Sequence, residues 1–166
     1  GIDTESRRML HYAKRLKFQH AEFRAPFSSL DYLEAIKAGM SLGGPGPRTI
    51  IVDSMSHEHE GEGGYLEQHE AGLVERIARA RERGNSEPDW KLRERYNFSA
   101  WIEPAGKRQR LINWLLHQDA AFIFCFRAKE KLKIVAGKEP INLGWQAIAG
   151  DGFVYEMAAQ CVLPPG

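Results

Sequence analysis

Three places in the sequence carry residues able to activate water, hold a divalent cation or neutralise a phosphate. They are Glu5 in Ile2-Asp3-Thr4-Glu5, Asp53-Ser54 after Ile50-Ile51-Val52, and Arg127 with Lys129 after Phe124-Cys125-Phe126. An apolar run ending in Asp is the form of a segment whose carboxylate holds Mg²⁺ against nucleotide phosphates. The plainer reading is an Asp that caps a turn. A glutamate just past a strand end can orient and deprotonate an attacking water. Its alternative is a helix start, with Thr4 or Ser6 as cap and Glu5 favouring the helix dipole. Cations at a strand end can sense a γ-phosphate or contact DNA phosphates, or form a solvated basic hairpin continuing through Lys131 and Lys133.

A fourth cluster is His57-Glu58-His59-Glu60-Gly61-Glu62, with His69 and Glu70 beyond it. Imidazoles and carboxylates in this number raise a metal-dependent hydrolase built on His57, Glu58, His59 and His69. The spacing opposes it: His57 and His59 alternate too closely for the paired helical arrangement, and no His-Glu-x-x-His string occurs. A solvated loop at the mouth of a site is the expectation.

The elements that must position these residues follow from periodicity. Apolar residues predict a helix from about Ser6 to Leu16, a short strand within Lys17 to Phe23, and a helix capped by Ser28 or Ser29, with Asp31 in its first turn, that stops at Gly39. The Gly43-Gly44-Pro45-Gly46-Pro47 turn leads into Thr49 to Ser54, whose continuous apolar character is that of a strand buried on both faces of a parallel sheet. Helices follow from about Tyr65 to Arg83 and Pro104 to His117, separated by an exposed, charged excursion at 84–100 around Trp90. Ala120 to Arg127 is a second apolar strand, Lys129 to Lys138 a basic hairpin or loop, and Phe153 to Leu163 a terminal strand before Pro164-Pro165. Strands alternating with helices predict an α/β fold with a mainly parallel, helix-flanked sheet, in which ligands bind beyond the carboxyl ends of the strands. Asp3, Glu5, Asp53, Ser54 and Arg127 all fall there.

Length and composition set the limits. The chain has 166 residues, 43% of them hydrophobic, which fits one domain, 1–166, with a real core. With 23 basic and 22 acidic residues, bulk charge predicts neither nucleic-acid nor membrane binding. No apolar stretch approaches the roughly 20 residues that span a bilayer, and two cysteines, Cys125 and Cys161, suit a reducing cytoplasm. A phosphate-cradling loop of the form G-x-x-x-x-G-K-[ST] does not occur: neither Gly106-Lys107 nor Gly137-Lys138 is followed by Ser or Thr.

The string Thr49-Ile50-Ile51-Val52-Asp53-Ser54-Met55-Ser56-His57-Glu58, with Glu60-Gly61-Glu62-Gly63-Gly64 after it, resembles the Walker B region of phage-encoded AAA-type, RecA-like P-loop ATPases linked to single-strand DNA recombination and annealing. Gly144-Trp145-Gln146 and Gly150-Asp151-Gly152-Phe153-Val154-Tyr155-Glu156-Met157 are similar to that family's C-terminal core segment, and Ile2-Asp3-Thr4-Glu5 to the strand end that carries its catalytic glutamate. The resemblance implies a RecA-like core, ATP and Mg²⁺, and hydrolysis coupled to DNA. By position, Asp53 is then the metal-side acid, Ser54 its support and Glu5 the general base, with Glu58 the competitor. Arg127 or Lys129 is a phosphate sensor or acts in trans on a neighbouring subunit. The family's P-loop strand and helix precede the Asp-Thr-Glu strand, so the resemblance implies either an N-terminally incomplete core, inactive as it stands, or a divergent member without the nucleotide site, with ATP binding by this chain alone weak or absent. A non-catalytic module of the same fold, binding single-stranded DNA or a recombination protein through Arg76 to Arg83 and Lys129 to Lys138, is the alternative. The resemblance also implies a homo-oligomer, no membrane, and a host-cell cytoplasmic location.

Overall fold

The computed structural model describes residues 1–42, 44, 46–134 and 139–163. Gly43 and Pro45 of the predicted turn, 135–138 of the basic segment and the terminal Pro-Pro-Gly lie outside that set. Four strands form a parallel sheet in the order β2-β1-β3-β4: β1 Ile2–Asp3, β2 Ala21–Glu22, β3 Thr49–Asp53 and β4 Ala121–Cys125. The expected α/β class with a mainly parallel sheet is what is found. An antiparallel hairpin, β5 Ala128–Lys133 and β6 Ile141–Ala147, follows directly from β4.

One face of the sheet makes the core. Ile50 and Val52 of β3 are buried and register with Phe122 and Phe124 of β4, while Ile2 registers with Val52. Against them pack Tyr32, Leu33 and Ile36 of α1 (Ser29–Ser41), Leu111, Ile112 and Leu115 of α5 (Ile102–Leu116), and Phe153 of α6 (Asp151–Tyr155). The start of α1 is as expected: the Ser28 hydroxyl accepts from the Asp31 amide while the Asp31 carboxylate accepts from the Ser28 amide, which satisfies two helix-end donors. β3 and β4 are not covered equally on both faces, however. Ile51 is half-buried and Ile123 is 49% exposed on β4, the outer strand. A continuous apolar run cannot by itself report how many faces are covered.

Three further elements differ from expectation. Residues 6–16 form a 3-10 turn at Arg8–Tyr12 rather than a longer helix, and only Met9 of its apolar residues is buried. The segment 84–100 contains a regular helix, α4 (Asp89–Ala100), lying against α3 (Tyr65–Glu82); Leu92 and Ala100 are buried while Trp90 remains exposed. Charge density hid that helix, because α4 buries only a narrow stripe. The tail is the short helix α6 followed by irregular chain, where a strand was expected. Of the apolar residues along α3, Leu73 and Ala80 are buried, with His69 beside them, while Leu66 and Val74 are exposed.

The turn at 3–9 has a specific cause. Asp3 has no exposed surface, and its carboxylate accepts from the amides of Glu5 at 2.8 Å and Met9 at 2.9 Å and contacts His20 Nε2 at 3.1 Å. These bonds hold Ser6 and Arg7 in the left-handed region, at φ 55° and 68°, which L residues seldom adopt. Asp3 is therefore a turn-organising carboxylate and not the ligand-facing strand-end acid expected. Burial works to raise its pKa, but the two amides and His20 outweigh that and hold it below the usual value. A depressed folded-state pKa contributes stability that is complete above about pH 4 and lost as pH falls through the lowered value. Urea unfolding across pH 7 to 3 is expected to show Asp3→Asn destabilised by about 1–3 kcal/mol at neutral pH, with a flatter acid limb than the parent.

Candidate functional site

Parallel register brings the carboxyl ends of β1 and β3 level, with Asp3 beside Asp53. A reciprocal clamp joins the segments just beyond. The Thr4 hydroxyl accepts from the Ser54 amide at 2.7 Å and donates to the Ser54 carbonyl at 3.1 Å; the Thr4 amide donates to the Asp53 carbonyl at 2.8 Å. The buried Tyr32 hydroxyl donates to the same Ser54 carbonyl at 2.7 Å, and burial pushes its pKa far up, so it stays a protonated donor. On the other side, the Met55 amide donates to the Cys125 carbonyl and the Arg127 amide to the Ser56 hydroxyl, each at 2.8 Å. Three strand ends are thus tied within a few residues of Asp53.

Two ion pairs stand on this base. Arg8 Nη2 lies 2.8 Å from Asp53 Oδ1, and Arg127 Nη2 lies 2.8 Å from Glu5 Oε1. The hydrogen bond to Asp53 raises the Arg8 pKa. Burial works to raise the Glu5 pKa, but Arg127, with the charges of His57 and Arg8, keeps it below the usual carboxylate range. His57 Nε2 also reaches Glu5 Oε1, at 3.1 Å, and Arg127 Nη1 is 4.0 Å from Glu60. Glu5, Asp53, His57 and Arg127 therefore share one neighbourhood. Asp53 and Glu5 are hard oxygen donors at adjoining strand ends. Mg²⁺ takes one or two carboxylates along with phosphate oxygens and water, so this donor set fits it.

The other candidates lie elsewhere. The Ser54 side chain is buried and its hydroxyl accepts from the Ser56 amide at 3.2 Å, which makes it a turn former. Lys129 is exposed on β5 and its charge is felt by His59. Glu58, the competitor for the base role, is 3% exposed and bonded twice by Arg108, at 3.0 and 2.7 Å, and by the Ser29 hydroxyl. That carboxylate holds α2 (Ser56–Glu60) to α1 and α5, its oxygens engaged three times by Ser29 and Arg108. The histidines part company as well. His57 stacks on Phe27; His59 stacks on Tyr65 and sits 3.2 Å from Arg108; His69 stacks on Trp101 at 3.7 Å and contacts the Asn97 carbonyl. Among the described residues, no three His, Cys, Asp or Glu side chains are grouped to hold a metal ion.

Residues 56–60 are helical rather than the solvated loop expected, and the glycines after them have a packing role. A Cβ on Gly61 would come within 2.9 Å of the Phe27 ring, and one on Gly63, at φ 71°, within 2.7 Å of Pro26. The loop thereby closes on Phe27, whose amide donates to the Glu62 carbonyl at 2.8 Å, and Phe27 backs His57. Arg8 is a site residue that nothing in the sequence singles out, and His57 joins the strand ends rather than a histidine cluster. No spacing rule marks either, because both arrive from outside the strands. Comparison with protein-family models, curated proteins and solved structures yields no match for this chain. No helix of the described residues is long and apolar enough to cross a membrane.

Removing one partner of a buried, bidentate pair strands the other charge, at a cost of about 3–5 kcal/mol. Thermal unfolding is expected to show that loss for both Glu58→Gln and Arg108→Met. A Glu58→Gln variant of parental stability would return Glu58 to the list of candidate bases.

Proposed function

We propose that these residues are the acid and base side of a RecA-like, Mg²⁺-dependent ATPase whose hydrolysis is coupled to DNA. The observation that carries the reading is that two carboxylates at neighbouring strand ends, Asp53 closing β3 and Glu5 two residues past β1, each face an arginine that is about half exposed. Asp53 would hold Mg²⁺, which supplies charge neutralisation for phosphate oxygens when bound. Glu5 accepts the proton of a water and directs its lone pair at phosphorus, and Arg127 offers a bidentate fork to phosphate. Thr4, Tyr32 and the Ser54 backbone tie the two strand ends together. Hydrolysis should fall at least about a hundredfold in Asp53→Ala and Glu5→Gln. Unchanged turnover in both would end the reading. These 166 residues carry no phosphate-cradling string, so isothermal titration of this chain alone is expected to find weak Mg-ATP binding.

A second observation favours single-stranded DNA as the partner. Lys129, Lys131 and Lys133 stand at alternate positions of β5, a hairpin strand whose six residues are exposed and whose pairing with β6 shifts register between Glu130 and Leu132. Among the described residues they form no ion pair. The other basic segment is committed internally: Arg79 pairs with Glu75, Arg81 with Asp89, and Arg76 caps the Gly72 and Ser99 carbonyls. Replacing the three lysines by alanine should weaken single-strand binding and reduce the slope of log K against log salt by about 2. Retention of the parental slope would remove the hairpin from the interface.

A further inference from the structure

Glu5 and Arg127 cannot both work while they hold each other. A guanidinium occupied by a carboxylate has less of its fork to offer a phosphate. A carboxylate neutralised by arginine is a poorer proton acceptor than a free one. Their contact is 2.8 Å, and His57 Nε2 lies 3.1 Å from the same Glu5 oxygen and 3.2 Å from Arg127 Nη2.

The two partners of Glu5 are held differently. The His57 side chain is 17% exposed, belongs to α2 and is stacked on Phe27 with ring centres 4.9 Å apart. The Arg127 side chain is 47% exposed and leaves the short connection between β4 and β5, where its own amide is anchored on the Ser56 hydroxyl. Rotation of the Arg127 side chain therefore moves the guanidinium into solvent without disturbing the strand end. The same rotation is not open to His57, whose ring is packed.

We propose that Arg127 is a displaceable lock on Glu5: an oligophosphate anion takes the guanidinium, and the carboxylate so released stays aimed by His57. The inference rests on reading Glu5 as the water-activating base and adds a regulation of that site. No bond is made or broken; one ion pair is exchanged for another. It makes the ligand's own phosphates the signal that frees the base, which leaves the carboxylate masked while the site is empty of anion.

The exchange is a competition, and its sign is testable. Isothermal titration of the protein with tripolyphosphate, without divalent cation and at low ionic strength, is expected to show Glu5→Gln binding about two- to fivefold tighter, the range set by losing a partly exposed ion pair. Arg127→Gln should bind more weakly, and adding Glu5→Gln to it should change nothing. An unchanged affinity in Glu5→Gln overturns the lock. So does an equal tightening in the Arg127→Gln background, since that is general charge removal and not competition for one guanidinium. The unsubstituted protein gives a reading independent of any variant's folding. The assigned Arg127 side-chain and Glu5 carboxylate resonances must both move as tripolyphosphate saturates, and movement of neither also overturns the lock. Failure of the base reading looks different: hydrolysis survives Glu5→Gln while the titration cycle still shows competition.

Discussion

The hydrogen-bonded clamp between Thr4 and Ser54 is the constraint on which the rest of the molecule depends. One hydroxyl both accepts from the Ser54 amide and donates to its carbonyl, and Tyr32 secures the same carbonyl from the core. Strands of two and five residues would otherwise leave their ends free to fray. With the clamp in place, the side chains on either side of it, Asp3 and Glu5 on one strand and Asp53 on the other, have defined directions. Tyr32 also joins this surface chemistry to the apolar core, because the ring that carries the hydroxyl packs with Ile36, Val52 and Leu111.

Around that clamp, carboxylates are sorted by burial. Asp3 and Glu58 are fully enclosed, and each is satisfied several times over: amides and His20 for one, Arg108 and Ser29 for the other. Burial of an ionised group is tolerated only when its oxygens are bonded. Asp53 and Glu5 lie nearer solvent, and each faces an arginine that is about half exposed. The enclosed pair shapes the scaffold, and the other pair is held by cations at the surface. The stacking of His57 on Phe27, with glycines at 61 and 63 making room, places an imidazole at the boundary between the two sets.

The hairpin and the outer strand show the opposite economy. β5 is exposed along its whole length, and β4 leaves Ile123 uncovered at the sheet's outer position. An isolated two-stranded hairpin is marginal in water, so its lysine row stands on the part of the chain with least internal support. Two arginines of α3 and α4, by contrast, tie those helices together: Arg93 with Glu70 and Arg81 with Asp89.

The local sequence determined the strands at 49–53 and 121–125, the capped start of α1 and the presence of acids and a base at three strand ends. These follow from short-range causes: β-branched runs, a Ser-x-x-Asp box, a charge that ends an apolar stretch. Tertiary structure alone decided which of those acids faces outward. Asp3 and Glu5 are two residues apart and look alike in a string, yet one accepts amides inside a turn and the other meets Arg127 from 122 residues away. Glu58 and Glu60 differ in the same way, since Arg108 arrives from α5 to claim only the first. A carboxylate's role here is set by which cation the fold brings to it, and that pairing is a long-range property no spacing along the chain encodes.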